Sequence, residues 1–266
     1  MDNVITRQKT SRTSILFSII GLAIVIVAWW GISLLIGTAR LPTPLSVGKT
    51  FINILFYNPC LVAQGGGNGI LVHLMYTVYR CLLGTILGMV VGIIIGIVMA
   101  KYEGIYLFLE YPLELIRAIP PLAAIPFFLL WLGNGSISQI AVIAFYACVM
   151  MIVTTLVAIH NIQSVYLQFA STLGASKNQI FKLVILPGIV PELIGGIRVA
   201  LSTAWGMEIV AELMGSYWGV GKVLALLVPF MDTGAVIASI IWVSLIGVVV
   251  DRIMVLVLRR WTRWAQ

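Results

Sequence analysis

The sequence predicts an all-α membrane protein with six transmembrane helices. Three observations carry that prediction. Hydrophobic residues make up 61% of the 266 and charged residues 9%, where a soluble domain carries about 25% charged residues. Six stretches approach or exceed the ~20 apolar residues that cross a bilayer as a helix. Lys and Arg gather in alternate connections, the bias that orients such helices. The formal charge of +7 is modest and sits in those connections, so it reads as orientation in a lipid bilayer, with no nucleic acid as a partner.

Residues 1–14 form a short tail, and residues 15–266 form one membrane domain. The first span, Ile15 to Ile36, is uncharged and 22 residues long. That is too long for the apolar region of a signal peptide, so it is expected to be retained despite the small residues Gly37, Thr38 and Ala39 that follow. Thr43 then caps a short interfacial helix with Pro44 at its first position and Val47, Phe51 and Leu55 along it. The second span is Cys81 to Ala100, beginning near Val72. Its Gly84, Gly88, Gly92 and Gly96 recur every fourth residue, and Ala100 and Gly104 continue the series. Such a flat face lets helices approach closely, either within the chain or against a second copy.

The third span, Ala118 to Leu132, is short, and Pro112, Pro120, Pro121 and Pro126 lie in or just before it. It reads as a bent helix, and lining a pathway is preferred over simple packing because freed backbone carbonyls are tolerated beside a wet cavity. The fourth span is Ile137 to Ile159, the fifth Val190 to Met214, and the sixth Thr233 to Leu258. With the N-terminus inside, Arg7, Lys9, Arg12, Lys101, Lys177, Lys182, Arg259, Arg260 and Arg263 fall inside, and Arg40, Lys49 and Lys222 outside, nine against three. Both ends are therefore expected to be cytoplasmic.

One polar interruption stands out, between the fourth and fifth spans. Val165, Leu167, Phe169, Ala170 and Leu173 mark a short apolar helix. Gly174 is suited to the left-handed turn that ends a helix. Ser176 and Gln179 have the spacing of a capping box that starts a second helix, carrying Ile180, Phe181 and Val184. Pro187 is expected to end or kink that second helix. The product is a helix, a glycine turn and a helix outside the bilayer.

Ionisable residues inside spans are functional candidates. Arg80 and Glu212 lie near the outer face, where long side chains reach the interface. Arg198 lies in the inner half of the fifth span. Glu208 and Glu212, four residues apart, share a helix face, with Ser202, Thr203 and Trp205 nearby. Glu208 is read either as facing a pathway or as paired with another helix. His73 and His160 sit at opposite boundaries, where they read as ordinary interfacial residues and make no metal site together. Cys60, Cys81 and Cys148 are scattered and support neither a disulfide framework nor zinc.

The interruption resembles the cytoplasmic coupling loop of binding-protein-dependent ABC importer permeases. The family pattern is Glu-Ala-Ala, three residues, Gly, nine residues, then Ile-x-Leu-Pro. Here Ala170, Gly174, Leu186 and Pro187 match in register, Val184 replaces Ile, and Gln168 and Phe169 replace the first Glu and Ala. The whole chain resembles the subfamily that imports nitrate, bicarbonate, taurine and alkanesulfonates. The matching segments are Leu41-Pro42-Thr43-Pro44; His73-Leu74 with Thr77 and Arg80; Arg117-Ala118-Ile119-Pro120; Ala124-Ile125-Pro126; Leu130-Trp131-Leu132-Gly133; Ala211-Glu212; and Gly219-Val220-Gly221.

The resemblance implies a type I importer permease fold and an ATPase-coupling segment at 164–186, with Gln168, Phe169, Ala170, Leu173, Gly174, Ala175, Ser176, Leu186 and Pro187 as its residues. It implies a second permease copy, two ATPase subunits holding ATP and Mg, and an extracytoplasmic solute-binding protein. Pathway candidates are Pro120, Pro121, Pro126, Ser202, Thr203, Trp205, Glu208 and Glu212. A carboxylate such as Glu208 in a pathway disfavours an inorganic anion and suits a zwitterion such as taurine, or a cation.

No catalytic constellation, resident cofactor or metal site is expected. There is no HExxH, and Ser136 in Gly133-Asn134-Gly135-Ser136 has no histidine partner at its depth. Gly219-Val220-Gly221-Lys222-Val223 departs from a phosphate-binding loop, with Ser216 in place of the first glycine and Val223 in place of Ser or Thr. The chain is thus no ATPase. The alternative function is an ATP-independent secondary transporter, which has no need of two capped helices in the cytosol.

Overall fold

The computed structural model describes residues 12–261. The tail residues 1–11, with Arg7 and Lys9, and Arg263 lie outside them. The described residues form helices α1 (Arg12–Ile36), α2 (Pro44–Asn53), α3 (Pro59–Ala63), α4 (Leu71–Lys101), α5 (Glu103–Ala118), α6 (Pro121–Leu132), α7 (Ser136–His160), α8 (Ser164–Thr172) and α9 (Lys177–Ile180). A π-helical turn (Phe181–Ile185), α10 (Leu186–Gly215), α11 (Val220–Leu227), a 3₁₀ turn (Val228–Phe230) and α12 (Thr233–Trp261) complete the chain.

The glycine stripe builds the centre. A methyl group on Gly84 would lie 2.8 Å from Ile143 Cβ, and one on Gly96 would lie 2.7 Å from Thr155 Cβ. Gly88 and Gly92 press equally hard on Ala144, Ala147, Cys148 and Met151. The stripe therefore packs inside the chain, α4 against α7, and the alternative of a second copy is not needed to explain it. The series stops at Gly96, because Ala100 is exposed and Gly104 has open space around it. Residue numbers rise together along both helices at this seam, so α4 and α7 run parallel. The chain between them must cross back once. Helix α10 packs antiparallel to both, with Gly196 against Thr154 and Gly215 beside Asn134, and Met207, Ala204 and Leu201 in one apolar cluster with Ile143, Val142 and Cys81.

That return crossing is α5 and α6, which meet at 96°. The bend expected in the third span is present, but it falls at the start of the expected range Ala118 to Leu132, and the crossing begins earlier, at Glu103. A proline disfavours helical geometry in the residue before it, and consecutive prolines apply the rule twice. Ile119 has ψ 120° and Pro120 has ψ 126°. Pro112 and Pro126, by contrast, lie within continuous helices. Five helical stretches are long and apolar enough to span a membrane, and the bent pair makes six.

At the end of the bundle remote from His160, α2, α3 and α11 form a cap over the start of α4 and α12. Thr43 Oγ1 accepts from the Ser46 N–H at 3.3 Å, as its capping role requires. Phe51 stacks on Trp242 with centroids 4.3 Å apart, and the Trp242 indole donates to the Phe51 carbonyl at 2.8 Å. Helix α1 stands off the core and is tied to this cap by Trp29, which donates to the Pro42 carbonyl, and Ser33, which donates to that of Leu41.

The fifth span also differs from expectation. Helix α9, the π turn and α10 form one helical stretch, Lys177–Gly215, of 39 residues, about 58 Å long at 1.5 Å per residue. Pro187 does not end it. A proline ring clashes with the carbonyl four residues back. The preceding π turn widens the helix there, with the Leu186 N–H bonding the Phe181 carbonyl five residues back, so the chain passes Pro187 without stopping.

Candidate functional site

The segment 164–186 protrudes from one end of the bundle. Helix α8 closes at Gly174, which has φ 80°. The Ala175 N–H bonds the Ala170 carbonyl at 3.1 Å and the Gly174 N–H bonds that of Ser171 at 3.0 Å. These are the paired bonds of a helix terminated by a left-handed glycine. Ser176 then starts α9. Its N–H donates to Gln179 Oε1 at 2.8 Å, and its Oγ accepts from the Gln179 N–H at 3.4 Å.

The segment has two faces. Leu167, Ala170, Ile180 and Phe181 turn inward, where Lys101 Nζ at the end of α4 lies 5.6 Å from the Phe181 ring centre. Ala175, Leu186 and Pro187 are half-buried, and Gln168 and Ser176 are exposed. Tyr166, Phe169 and Leu173, spaced three and four apart on one side of α8, are 57%, 65% and 73% exposed. An aromatic and aliphatic patch of this kind, outside the apolar spans, has the composition of a docking surface.

The intramembrane charges are arranged differently from expectation. Arg80 and Glu212 do not reach the interface; both are buried. Arg80 Nη1 lies 3.4 Å from Glu212 Oε1 and 4.0 Å from Glu208 Oε1. It also donates to Ser216 Oγ at 3.0 Å and the Trp218 carbonyl at 2.6 Å, while its Nε donates to Ser136 Oγ at 3.0 Å. Glu212 accepts from the Thr77 hydroxyl at 2.8 Å and the Gly221 N–H at 2.9 Å. Thr77 in turn accepts the Val220 N–H at 3.0 Å. His73 is interior as well: its Nδ1 accepts the Gly219 N–H at 3.0 Å and its Nε2 donates to the Gly66 carbonyl at 2.7 Å.

This network clamps the 216–221 connection onto α4. A buried ion pair holds only when its remaining donors and acceptors are met, and here the loop backbone meets them. Glu208 is the exception. It is fully buried and neither oxygen has a hydrogen-bond partner among the described residues, so two carboxylates face one guanidinium.

The eight pathway candidates do not converge. Pro121 lines a cavity of about 350 Å³ with Arg117, Ala124, Tyr146, Met150 and Met207. Ser202 and Trp205 line a separate groove of about 710 Å³ between α10 and α12. Arg198 on that groove pairs with Asp251 through two bonds of 2.9 and 3.0 Å. The Trp205 indole N–H has no hydrogen-bond partner among the described residues. Thr203 donates to the Val199 carbonyl on its own helix at 3.1 Å. Pro120 and Pro126 are exposed, and Glu208 and Glu212 are in the interior. Sequence reasoning passed over Asp251 and gave Arg117 no role of its own. For Asp251 the signal was present: opposite charges at similar depths in neighbouring spans are expected to pair.

Comparison with known proteins bears on this arrangement. The model of a family described as the binding-protein-dependent transport system inner membrane component matches residues 84–263. The chain is 32% identical over 213 residues to the taurine transport system permease protein TauC of Escherichia coli (strain K12), covering 78% of this chain and 74% of that protein. It is 32% identical over 196 residues to the putative aliphatic sulfonates transport permease protein SsuC of Bacillus subtilis (strain 168), covering 73% and 67%. It is 27% identical over 196 residues to the nitrate import permease protein NrtB of Synechococcus elongatus, covering 74% and 70%. Among solved structures, the inward-facing MetNI methionine ABC transporter matches with a TM-score of 0.59 at 18% identity, covering 74% of this chain and 96% of that one. An amino acid ABC transporter with histidines matches with a TM-score of 0.56 at 17% identity, covering 73% and 92%. These two likenesses show the type I importer permease fold.

Proposed function

The chain belongs to the family of binding-protein-dependent transport inner membrane components, and from that premise we propose that it is the membrane-spanning subunit of an ATP-driven importer of a small polar solute. The solute class nearest to its relatives is an organic sulfonate such as taurine, or nitrate. Two copies of the chain form the pathway, and an extracytoplasmic binding protein delivers the solute. ATP and Mg are held by two partner ATPase subunits. The membrane domain is 15–266, and 164–186 is its coupling segment, on the cytoplasmic side.

The observation that carries this reading is the exposed Tyr166, Phe169 and Leu173 face, joined without interruption to α10. A ligand moves an equilibrium only by binding one state better than the other. ATP closing the paired ATPases draws the two coupling segments together, and the 39-residue stretch carries that displacement into the bilayer, opening the pathway outward. Hydrolysis in the partners resets the inward state. The supporting test is Phe169→Asp with Leu173→Asp. The expected result is loss of the copurifying ATPase with an unchanged melting temperature of the spans. Full retention of the ATPase by this double variant would speak for the alternative, a transporter independent of ATP.

A further inference from the structure

We propose that Arg117 is a fixed positive charge in the solute pathway, where it takes the anionic head of the solute, a sulfonate or an anion of similar size. The inference rests on the importer reading and adds a recognition site to it.

Three observations place Arg117 there. The first is depth. The cavity that Arg117 lines also has Val149, Met150 and Val153 on its wall, and these stand at the middle of α7, Ser136–His160. Arg117, exposed in the last turn of α5, therefore borders a cavity set against the middle of α7. The second is the absence of a partner. Among the described residues Arg117 makes no hydrogen bond or ion pair, whereas Arg80 and Arg198 are both paired with carboxylates. Glu114, one turn earlier on α5, makes no ion pair with it. The third is the backbone. The 96° break after Ala118 falls between Arg117 on α5 and Pro121 on α6, both of which line the cavity.

An arginine facing lipid at mid-depth is disfavoured, and such residues face the bundle interior or a wet cavity. Among the described residues no acidic side chain neutralises Arg117, which leaves its guanidinium to water or the cargo. The cavity walls are otherwise apolar apart from Tyr146, and its volume of about 350 Å³ is within the range of small-ligand sites. Low-dielectric walls strengthen the field of a lone charge. A sulfonate presents oxygens that match the guanidinium fork. Glu103, Glu110 and Glu114 precede Arg117 on α5, and of these charged residues Arg117 is the one on the cavity wall.

The test uses thiol reagents of opposite charge. Ala124→Cys is placed on the cavity wall of the full chain, with Cys60, Cys81 and Cys148 replaced by Ser or Ala, in membrane vesicles. Its rates with a sulfonatoethyl and a trimethylammonioethyl methanethiosulfonate are compared. The expected result is a preference for the sulfonate reagent that falls at least about tenfold with Arg117→Gln and persists with Arg117→Lys. An unchanged ratio, or no reaction with either reagent, would overturn the proposal. The labelling involves no ATPase. If the ATPase fails to copurify while the charge preference is found, the importer reading fails and the Arg117 site stands. If it copurifies and the preference is absent, the reverse holds.

Discussion

Gly174 reports on backbone geometry alone. Its φ of 80° is left-handed, and a side chain there would meet nothing within 4 Å. Gly174→Val therefore brings strain of about 1–2 kcal/mol without a clash, while Gly174→Asn tolerates the turn. We expect ATPase copurification to fall with Val and to be largely kept with Asn, at equal melting temperature of the spans. Equal retention by both variants would show that the turn is not what the ATPase reads. Arg80 and Glu208 are the second residue-scale test. Removing Arg80 leaves buried carboxylates unpaired, and Arg80→Met is expected to cost about 3–5 kcal/mol of stability. Glu208→Gln removes the surplus carboxylate and is expected to leave thermal stability equal or higher, with solute preference unchanged in uptake assays. A changed preference at normal stability would return Glu208 to the pathway. Both Glu208 and Arg80 could be singled out from the sequence as charges within spans. Their pairing could not, because it depends on how α4 and α10 rotate against each other.

Elements were legible where a local rule decides them. The Thr43 and Ser176 caps and the Gly174 turn describe contacts at the ends of single helices, and the four-residue glycine period marks one face of a single helix, although its partner α7 is not readable from it. The bend at Ile119 and Pro120 was visible as a proline cluster, but its size comes from two successive proline restrictions. The π turn had no signal of its own, since its widened hydrogen bonds relieve a clash that Pro187 would make with the turn before it. The glycine stripe supplies the element-scale prediction. Gly88 lies against the Ala144 backbone and the Ala147 side chain, whereas Gly104 has open space. Gly88→Leu is expected to force α4 from α7 and lower the melting temperature and yield sharply, since overpacking alone costs about 1–3 kcal/mol. Gly104→Ala is expected to change neither. Similar losses from both would mean that the α4 and α7 seam is not the packing core.

At the scale of the whole molecule, the parallel run of α4 and α7 requires one crossing by α5 and α6, and the count of six crossings puts the two chain ends on the same side of the membrane. We propose from the charge bias that this side is the cytoplasm, and reporter fusions at both ends are then expected to read cytoplasmic. A periplasmic signal from either would require a different path for α5 and α6. Whether an ATPase engages the 164–186 segment is decided by site-specific cross-linking in native membranes. With the three native cysteines replaced, Phe169→Cys on the coupling face is expected to form a thiol-linked adduct with a subunit carrying a phosphate-binding loop. Phe108→Cys, on α5 and 78% exposed, is expected to form none. An adduct absent at position 169, or equally strong at both positions, would contradict the account.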